Sequence, residues 1–297
     1  MPEAAVNAYA KLNLTLDILR RREDGYHDLC MVMQSISLHD RIVLRTTESD
    51  GITLSCGAAY LPAGRGNLAF RAAEAFFQAT GQRNPGLHID MEKTIPVCAG
   101  MAGGSSDAAA VLRGLRRLYA PEMAIEDLCR IGAQVGSDVP YCVFGGTALA
   151  EGRGEILTRL PPMPACWAVI CKPPFGLSTP ELFGCVQAKK LTRHPDTRGM
   201  LRSLAQGDLT GILHRIYNVF EEVLPEKYSE VFAIKDQLLD LGAGSAAMTG
   251  SGPTVFGLFP AKETAEAAFH ALKERYGQTY LAEMVNAKDE KTEENPG

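Results

Sequence analysis

Short runs of alternating apolar and polar residues, the pattern of half-buried β-strands, dominate the first half of the chain. The first run is AVNAYAKLNLTLDIL at residues 5–19, and Asp24-Gly25 follows it as a strong signal for a hairpin turn. Strands are also predicted at MVMQSISL, DRIVLRTT, GITLSC and LHIDMEKTI, and a hairpin at GTALAEGRGEILTRL. In the second half, CWAVICK and the apolar end of MTGSGPTVFGLF predict further strands.

Other segments repeat their apolar residues with the period of a helix. Asn67 is placed to cap a helix through LAFRAAEAFFQAT, which Gly81 would close. Helices are also predicted at SSDAAAVLRGLRRLYA, IEDLCRIGAQV, SEVFAIKDQLLDLG and KETAEAAFHALKERYG. Because strands and helices mix without a strict βαβ rhythm, we predict an α+β fold.

Prolines mark the best candidate for a domain boundary. The chain has 297 residues, about twice a typical domain. PPMP at 161–164 would punctuate and stiffen a connector. We therefore expect an N-terminal domain over 1–162, a C-terminal domain over 163–287 and a charged, disordered tail over 288–297.

Composition and charge narrow the class of protein. The hydrophobic share of 46% and the charged share of 22% are ordinary for a soluble globular protein. A net charge of −5 argues against a nucleic-acid partner. The first residues lack the apolar core of a signal peptide, and the uncharged stretch 241–261 is too rich in glycine and proline to span a membrane. We therefore expect a cytoplasmic protein with no membrane partner, whose cysteines are free thiols.

A glycine-rich loop is the strongest chemical signal. PVCAGMAGGSS, residues 96–106, lies between a predicted strand and a predicted helix. Glycines let backbone N–H groups turn toward a ligand, and a helix N-terminus favours phosphate. Ser105 and Ser106 add hydroxyl groups. A tight strand-to-helix turn capped by serine explains the same residues, so the glycine content alone leaves both interpretations open.

Three motifs in order connect this loop with a known family. PVCAGMAGGSSDAAAVL resembles the phosphate loop of the GHMP small-molecule kinases, with Met101 where leucine is usual and Asp107 where alanine or asparagine is common. AYAKLNLTLDI and MTGSGPTVFGLF resemble the N-terminal and C-terminal motifs of that family. The Walker-type G-x-x-x-x-G-K-[ST] is absent, and Gly100, Gly103 and Gly104 do not have dinucleotide-loop spacing. The resemblance covers nearly the whole chain, is weakest at 185–235 and ends before the tail.

The resemblance implies a two-domain architecture with a nucleotide-binding N-terminal domain, a smaller C-terminal domain and a site in the cleft between them. AKLNLTLDILRRREDGYHDLCMVMQSISLHD and GSDVPYCVFGGTALAEGRGEIL are most similar to members that act on a cytidine-diphosphate-linked alcohol. These members use ATP to phosphorylate the 2-hydroxyl of 4-diphosphocytidyl-2-C-methyl-D-erythritol in the non-mevalonate isoprenoid pathway. The alternatives are another GHMP kinase, for homoserine, mevalonate or a sugar, and a non-catalytic binding relative. A monomer and a homodimer are both compatible with the sequence.

The same resemblance implies the catalytic and nucleotide-binding residues. Asp138 would take the hydroxyl proton, and Lys11 would lie beside it and stabilise the charge on the transferring group. Without the resemblance, Asp138 is an ordinary turn residue and Lys11 a lysine that reaches solvent. Mg²⁺ is expected with ATP, and no protein ligand is assigned to it. The predicted nucleotide-binding residues are Pro96, Val97, Cys98, Ala99, Gly100, Met101, Ala102, Gly103, Gly104, Ser105 and Ser106.

Five residues are implied to bind the acceptor. Asn13 follows Lys11 by two positions, which places both on one face of a strand. By resemblance, Tyr26 stacks on the cytosine and His27 hydrogen-bonds its edge. Phe183 is the candidate for the second face of that sandwich, with Thr179 nearby.

Overall fold

The computed structural model describes residues 3–58, 60–188 and 191–286, so the predicted tail lies outside the described residues. Its longest feature is an antiparallel hairpin of β1 (Glu3–Arg21) and β2 (His27–Thr46). The turn contains Gly25 with a φ of +85°, so the Asp24-Gly25 prediction is confirmed. The prediction of separate strands at MVMQSISL and DRIVLRTT is wrong. Both belong to β2, because β1 also pairs with His39, the residue between them, and keeps it extended.

The remaining strands extend this hairpin into one 11-stranded sheet, whose main path runs β3-β4-β2-β11-β7-β10-β9. Residues of β11 pair with β7 through most of its length, and its end pairs with Ile36 and Ser35 of β2, so this strand joins the two halves of the chain. The other strands are β3 (Ile52–Cys56), β4 (Leu87–Glu92), β5 (Thr147–Gly152), β6 (Ile156–Arg159), β7 (Trp167–Lys172), β8 (Tyr217–Asn218), β9 (Ser245–Met248), β10 (Val255–Phe259) and β11 (Gln278–Val285).

Local signals set the ends of the helices. Asn67 caps α1 by accepting a 2.9 Å hydrogen bond from the N–H of Ala69, and Gly81 ends the helix in the left-handed region, as predicted. The described helices are α1 (Leu68–Thr80), α2 (Gly103–Tyr119), α3 (Ile125–Val135), α4 (Val139–Phe144), α5 (Thr179–Ala188), α6 (Thr197–Gln206), α7 (Leu209–Leu213), α8 (Glu230–Asp240) and α9 (Lys262–Arg275), with 3₁₀ helices at Val219–Glu222 and Glu226–Tyr228. In the part of the chain that the structure describes, no helix has the length and apolar character needed to cross a bilayer.

Two apolar cores hold the sheet and helices together. The larger contains Phe76 and Leu112 from the first half and Leu238 from the second. The smaller brings Leu12 of β1 against Phe256 of β10. Since each core takes residues from both sides of 161–164, the halves pack directly on each other, and the limits of the two domains stay a prediction.

Candidate active site

A cavity of about 790 Å³ opens where the two halves meet, a size typical of small-molecule sites. It is lined by β1, the loop before α2, the start of α4, the start of α5 and the loop before β10. Most of the predicted site residues line it, namely Lys11, Asn13, Asp138, Thr179, Phe183, Pro96–Gly100 and Ala102–Ser105. The fold therefore gathers predicted site residues that are up to 172 positions apart in the chain, from Lys11 to Phe183.

The glycine-rich loop has the backbone of an anion site. Cys98, Gly100 and Ala102 have φ values of 52°, 71° and 59°, which turn the chain sharply between β4 and α2. Helix α2 begins at Gly103 with no side-chain cap on its first turn. The N–H groups at this helix end are thus left for an anionic ligand, and the helix dipole adds to the attraction.

Two loop residues point away from the cavity. Met101 is buried, and Ser106 donates from its hydroxyl to the carbonyl of Tyr9 at 2.5 Å. The Ser106 N–H is also used, in a 2.8 Å bond to Ala102 O. The structure therefore brings Ser105, but neither Met101 nor Ser106, to the cavity. The hydroxyl of Ser106 holds β1 against α2 instead.

Strand β1 carries Lys11 into the cleft. Its backbone N–H donates to Met101 O at 3.3 Å, which fixes the strand beside the loop. The side chain is buried, and its ammonium donates to Asn13 Oδ1 at 2.5 Å. Burial lowers the pKa of Lys11, while the charges of Asp138 and Cys142 raise it. A desolvated ammonium thus lies within electrostatic reach of the Asp138 carboxylate.

Asp138 precedes the first residue of α4. Its carbonyl accepts from the N–H of Cys142 at 3.0 Å, but its side chain makes no capping bond to the helix. The half-buried carboxylate instead lines the cavity. Asp138 therefore supplies a carboxylate to the cleft that the fold does not use for its own hydrogen bonds to this helix.

Asn13 joins the two halves of the site. Its Oδ1 accepts from Lys11 and, at 2.9 Å, from the N–H of Gly250. Its backbone N–H donates to the hydroxyl of Thr249 at 3.1 Å. The predicted contact of Asn13 with the acceptor stays a prediction, because the structure shows its side chain linking Lys11 to the C-terminal glycine-rich loop.

The two glycine-rich loops touch through their backbones. A Cβ on Gly100, whose φ is +71°, would lie 2.2 Å from the carbonyl oxygen of Thr249. A Cβ on Gly250 would lie 2.6 Å from Gly100 O. The loop contact therefore requires glycine at both positions, for space as well as for backbone conformation.

Gly100→Ala is expected to lower the free energy of unfolding by about 2–4 kcal/mol, because the loops must separate and the new residue is strained. Chemical denaturation measures this change. Gly104→Ala is the matched control, since its Cβ would meet only Leu68 Cδ1 at 3.5 Å and alanine favours a helix. Equal stability of Gly100→Ala and wild type would show that the loops do not constrain each other.

Two residues of the predicted acceptor site, His27 and Phe183, lie against each other. Phe183 stacks directly on His27, with ring centroids 4.9 Å apart and planes 20° apart. Tyr26 is 56% exposed and does not line the cavity, and Arg153 lies over its ring at 4.8 Å. Burial, and next the charge of Arg21, lower the pKa of His27 and favour a neutral ring. The structure therefore brings Phe183 to the cavity, while neither Tyr26 nor His27 lines it, and the contacts of these residues with the acceptor stay a prediction.

Some site residues had no clear signal in the sequence. Arg153 lines the cavity from a hairpin whose sequence carries part of the family resemblance, but nothing in that sequence marked this arginine as a site residue. Thr249 holds the cleft together by donating to Gly100 O at 3.4 Å, and the predicted Thr179 does so through a 2.7 Å bond to Ser251. Thr249 falls inside the MTGSGP motif, so only its motif position could have suggested it.

Comparisons with known proteins agree with this geometry. Residues 67–146 match the family model described as GHMP kinases N terminal domain, and residues 200–278 match GHMP kinases C terminal. A 4-diphosphocytidyl-2-C-methyl-D-erythritol kinase from Lachnoclostridium phytofermentans is 43% identical, over 96% of this chain and 98% of the relative. A solved 4-(cytidine 5'-diphospho)-2C-methyl-D-erythritol kinase has a TM-score of 0.81 and 34% identity, over 95% of this chain and 100% of its own. A homoserine kinase from Cytophaga hutchinsonii has a TM-score of 0.74 at 18% identity, over 96% of this chain and 95% of its own, which shows a shared fold alone.

Proposed function

This chain belongs to the GHMP kinase family, and on that premise we propose that its cleft transfers the γ-phosphoryl group of ATP to the 2-hydroxyl of 4-diphosphocytidyl-2-C-methyl-D-erythritol. The product is an intermediate of the non-mevalonate route to isoprenoid precursors. The observation that carries the proposal is the meeting of a buried lysine, a carboxylate and an uncapped helix N-terminus in one cavity. The 43% identity over 96% of the chain favours this acceptor over homoserine, mevalonate or a sugar.

The reaction needs a proton acceptor and charge stabilisation. Asp138 takes the proton of the 2-hydroxyl as that oxygen bonds to the γ-phosphorus. The bond from the γ-phosphorus to the bridging oxygen breaks at the same centre, and ADP leaves with the electron pair. Lys11 stabilises the negative charge on the transferring group.

The first turn of α2 and the loop from Pro96 to Ser105 are proposed to hold the phosphates of ATP. Mg²⁺ enters as part of the Mg·ATP complex, because this ion prefers phosphate oxygens and water to a cage made wholly of protein. Among the residues described, no three His, Cys, Asp or Glu side chains are placed to hold a metal, which fits an ion that arrives with its nucleotide.

The cytidine is proposed to bind where His27 and Phe183 now stack. A flat base can replace one ring of such a stacked pair, with Phe183 keeping one of its faces and Tyr26 reaching the other from its exposed position. His27 and Thr179 would then supply polar contacts. Asn13 would bind the acceptor through its position beside Lys11.

The experiment that tests the function is ADP release from Mg·ATP with different acceptors. The purified protein is offered 4-diphosphocytidyl-2-C-methyl-D-erythritol, homoserine, mevalonate and galactose separately. Turnover confined to the cytidine compound is the expected result. Turnover with another acceptor would support a kinase but reject the proposed acceptor site. A folded protein that shows no turnover with any of the four acceptors would favour a non-catalytic binding relative.

Phe183→Ala is expected to raise the KM for the cytidine acceptor about 10-fold, since stacking on a base is worth about 1–3 kcal/mol in other proteins. The KM for Mg·ATP should stay unchanged. Steady-state kinetics measure both constants. Phe232→Ala, on the exposed side of α8, is the control. An unchanged acceptor KM in Phe183→Ala would place the cytidine elsewhere.

We also propose the domain limits, the cellular location, the oligomeric state and the partners that follow from this role. The site lies between an N-terminal domain over 1–162 and a C-terminal domain over 163–287. The enzyme acts in the cytoplasm, where ATP and its nucleotide-linked acceptor are available. It works as a monomer or a homodimer on a small molecule, without a nucleic-acid or membrane partner.

A further inference from the structure

A buried ionic cluster lies beside the nucleotide end of the cleft. The ammonium of Lys93 donates to Asp40 and, at 2.5 Å, to Asp107. Both carboxylate residues are almost fully buried, and the Lys93 side chain is 8% exposed. These three residues, named here the Lys93 cluster, have no role in the proposed chemistry. Burying charges costs desolvation free energy, which only close pairing and further hydrogen bonds offset.

Asp40 is the fixed end of the cluster. Besides Lys93, its carboxylate accepts from the backbone N–H groups of Thr94 and, at 2.8 Å, Ile95. It lies on β2, so it ties the chain that leaves β4 to the central hairpin. The glycine-rich loop begins at the next residue, Pro96. Asp40 thus fixes both the Lys93 side chain and the entry of this loop.

The ammonium of Lys93 lies at the start of α2. A Cβ on Gly103, the first residue of that helix, would be 3.7 Å from Lys93 Nζ. Lys93, Gly103 and Asp107 all line the cavity. The cation and the positive end of the helix dipole therefore lie at one place, and both attract the phosphates of a nucleotide rather than its base.

The charges of the cluster leave Lys93 positive. Burial alone would lower the pKa of Lys93, yet Asp107 and Asp40 hold it above its ordinary value. Burial raises the pKa of Asp107 to about 7 against the opposing charge of Lys93, and the charge of Asp40 adds to the rise. In the described residues, Oδ1 of Asp107 has no hydrogen-bond partner. Of the two charges in direct contact, Lys93 therefore stays positive and Asp107 titrates near neutral pH.

We propose that Lys93 is a nucleotide-binding residue whose ammonium contacts the phosphates of ATP at the start of α2, and that Asp40 and Asp107 are positioning residues that hold it there. The inference rests on the proposed ATP-dependent function. Lys93 would be a third source of positive charge in the cleft, besides Lys11 and the N-terminal end of α2. It lies outside all three family motifs.

The test compares Asp107→Asn with the double variant Lys93→Met/Asp107→Asn. Removing Lys93 alone would leave two buried carboxylates unpaired and could unfold the protein. The double variant removes one carboxylate together with the ammonium, so the formal charge of the cluster stays at its wild-type value. The difference in nucleotide affinity between the double variant and Asp107→Asn therefore measures the contribution of the Lys93 ammonium. Asp90→Asn, on the exposed face of β4, is the control for a charge change outside the cavity.

The double variant is expected to raise the KM for Mg·ATP and the Kd for ADP about 10- to 100-fold relative to Asp107→Asn, the range of a charge-assisted hydrogen bond. The KM for the acceptor and the Kd for adenosine should not change. Equal ADP affinity in the two variants, or an equal loss of adenosine affinity, would overturn the proposal. A wild-type protein that binds ADP but turns over no acceptor would reject the proposed function and leave this test intact.

The pH dependence gives a readout that a structural role would not produce. Protonation of Asp107 removes a negative charge from the cluster of Asp40, Lys93 and Asp107, so nucleotide phosphates favour the protonated form. ADP affinity in the wild type is expected to fall as the pH rises from 6 to 8, through the pKa of about 7. The same titration of Asp107→Asn should show a smaller fall. Parallel titration curves for the two proteins would reject the part assigned to Asp107.

Discussion

Asp138→Asn is expected to lower kcat about 10²- to 10⁴-fold, the range for loss of a positioned general base. Asparagine keeps the shape of the side chain but cannot take the hydroxyl proton. Its stability should be close to that of the wild type, because the Asp138 side chain makes no capping bond to α4 and is half-exposed. The KM values for Mg·ATP and the acceptor should change little, since the carboxylate acts on the reacting proton rather than on binding.

Steady-state kinetics with both substrates saturating, together with a thermal melt, separate activity from stability. Asp127→Asn is a matched control, because Asp127 lies in the first turn of α3 and pairs with the exposed Arg130 outside the cavity. It should keep full activity. A kcat for Asp138→Asn within about threefold of the wild type would remove Asp138 from the catalytic role, since even the weakest expected loss is larger.

Lys11→Met is expected to lower kcat about 10²- to 10³-fold, the effect of removing one preorganised electrostatic contact to the transferring group. Burial lowers the pKa of Lys11, so the fold stabilises the charged side chain poorly. Methionine fills the same space without that desolvation penalty, and the melting temperature should therefore not fall. A loss of activity without a loss of stability identifies an ammonium kept for chemistry.

The high-pH limb of the activity profile provides an independent check on Lys11. Because the pKa of Lys11 is lowered from 10.5, its ammonium should lose a proton, and the enzyme its activity, below the pH at which an exposed lysine titrates. The thiol of Cys142 does not cause this limb, since burial raises its pKa to about 12.

The double variant Lys11→Met/Asp138→Asn should be little slower than Asp138→Asn, because both residues act on one transition state. Fully additive losses would mean that they act separately.

Local chemistry made much of the fold predictable. The Asn67 cap, the Gly81 helix end and the Asp24-Gly25 turn each depend on a few neighbouring residues, and the structure has all three. The α+β class and the family were also correct, since both halves of the chain match the family models. The break placed inside β2 was wrong because the pairing with β1 that keeps it extended connects residues far apart in the sequence.

The predicted site residues also fall into two groups, those that motifs indicated and those whose contacts join distant parts of the chain. Motifs placed Lys11, Asp138 and most of the glycine-rich loop in one predicted site, and the structure brings these residues to one cavity. Their roles there stay a prediction. The residues next to Ser106 in the sequence suggested that its hydroxyl faces the cavity. In the structure the hydroxyl donates instead to the carbonyl of Tyr9, 97 positions earlier, and this contact sets the direction of the side chain. The stacking of His27 on Phe183 likewise joins residues 156 positions apart.

The amino-acid sequence by itself determined the turns and the helix caps, since these depend on local backbone preference, and its motifs pointed to the glycine-rich loop, Lys11 and Asp138 as the predicted site. The tertiary structure alone decided which side chains share the cleft. It brings Asp40 and Lys93 together across 53 positions, and it sets the backbone of Gly100 against Thr249 across 149. Such contacts follow from long-range strand pairing and burial, so the pKa of Lys11 and the surroundings of Lys93 become readable only in the folded chain.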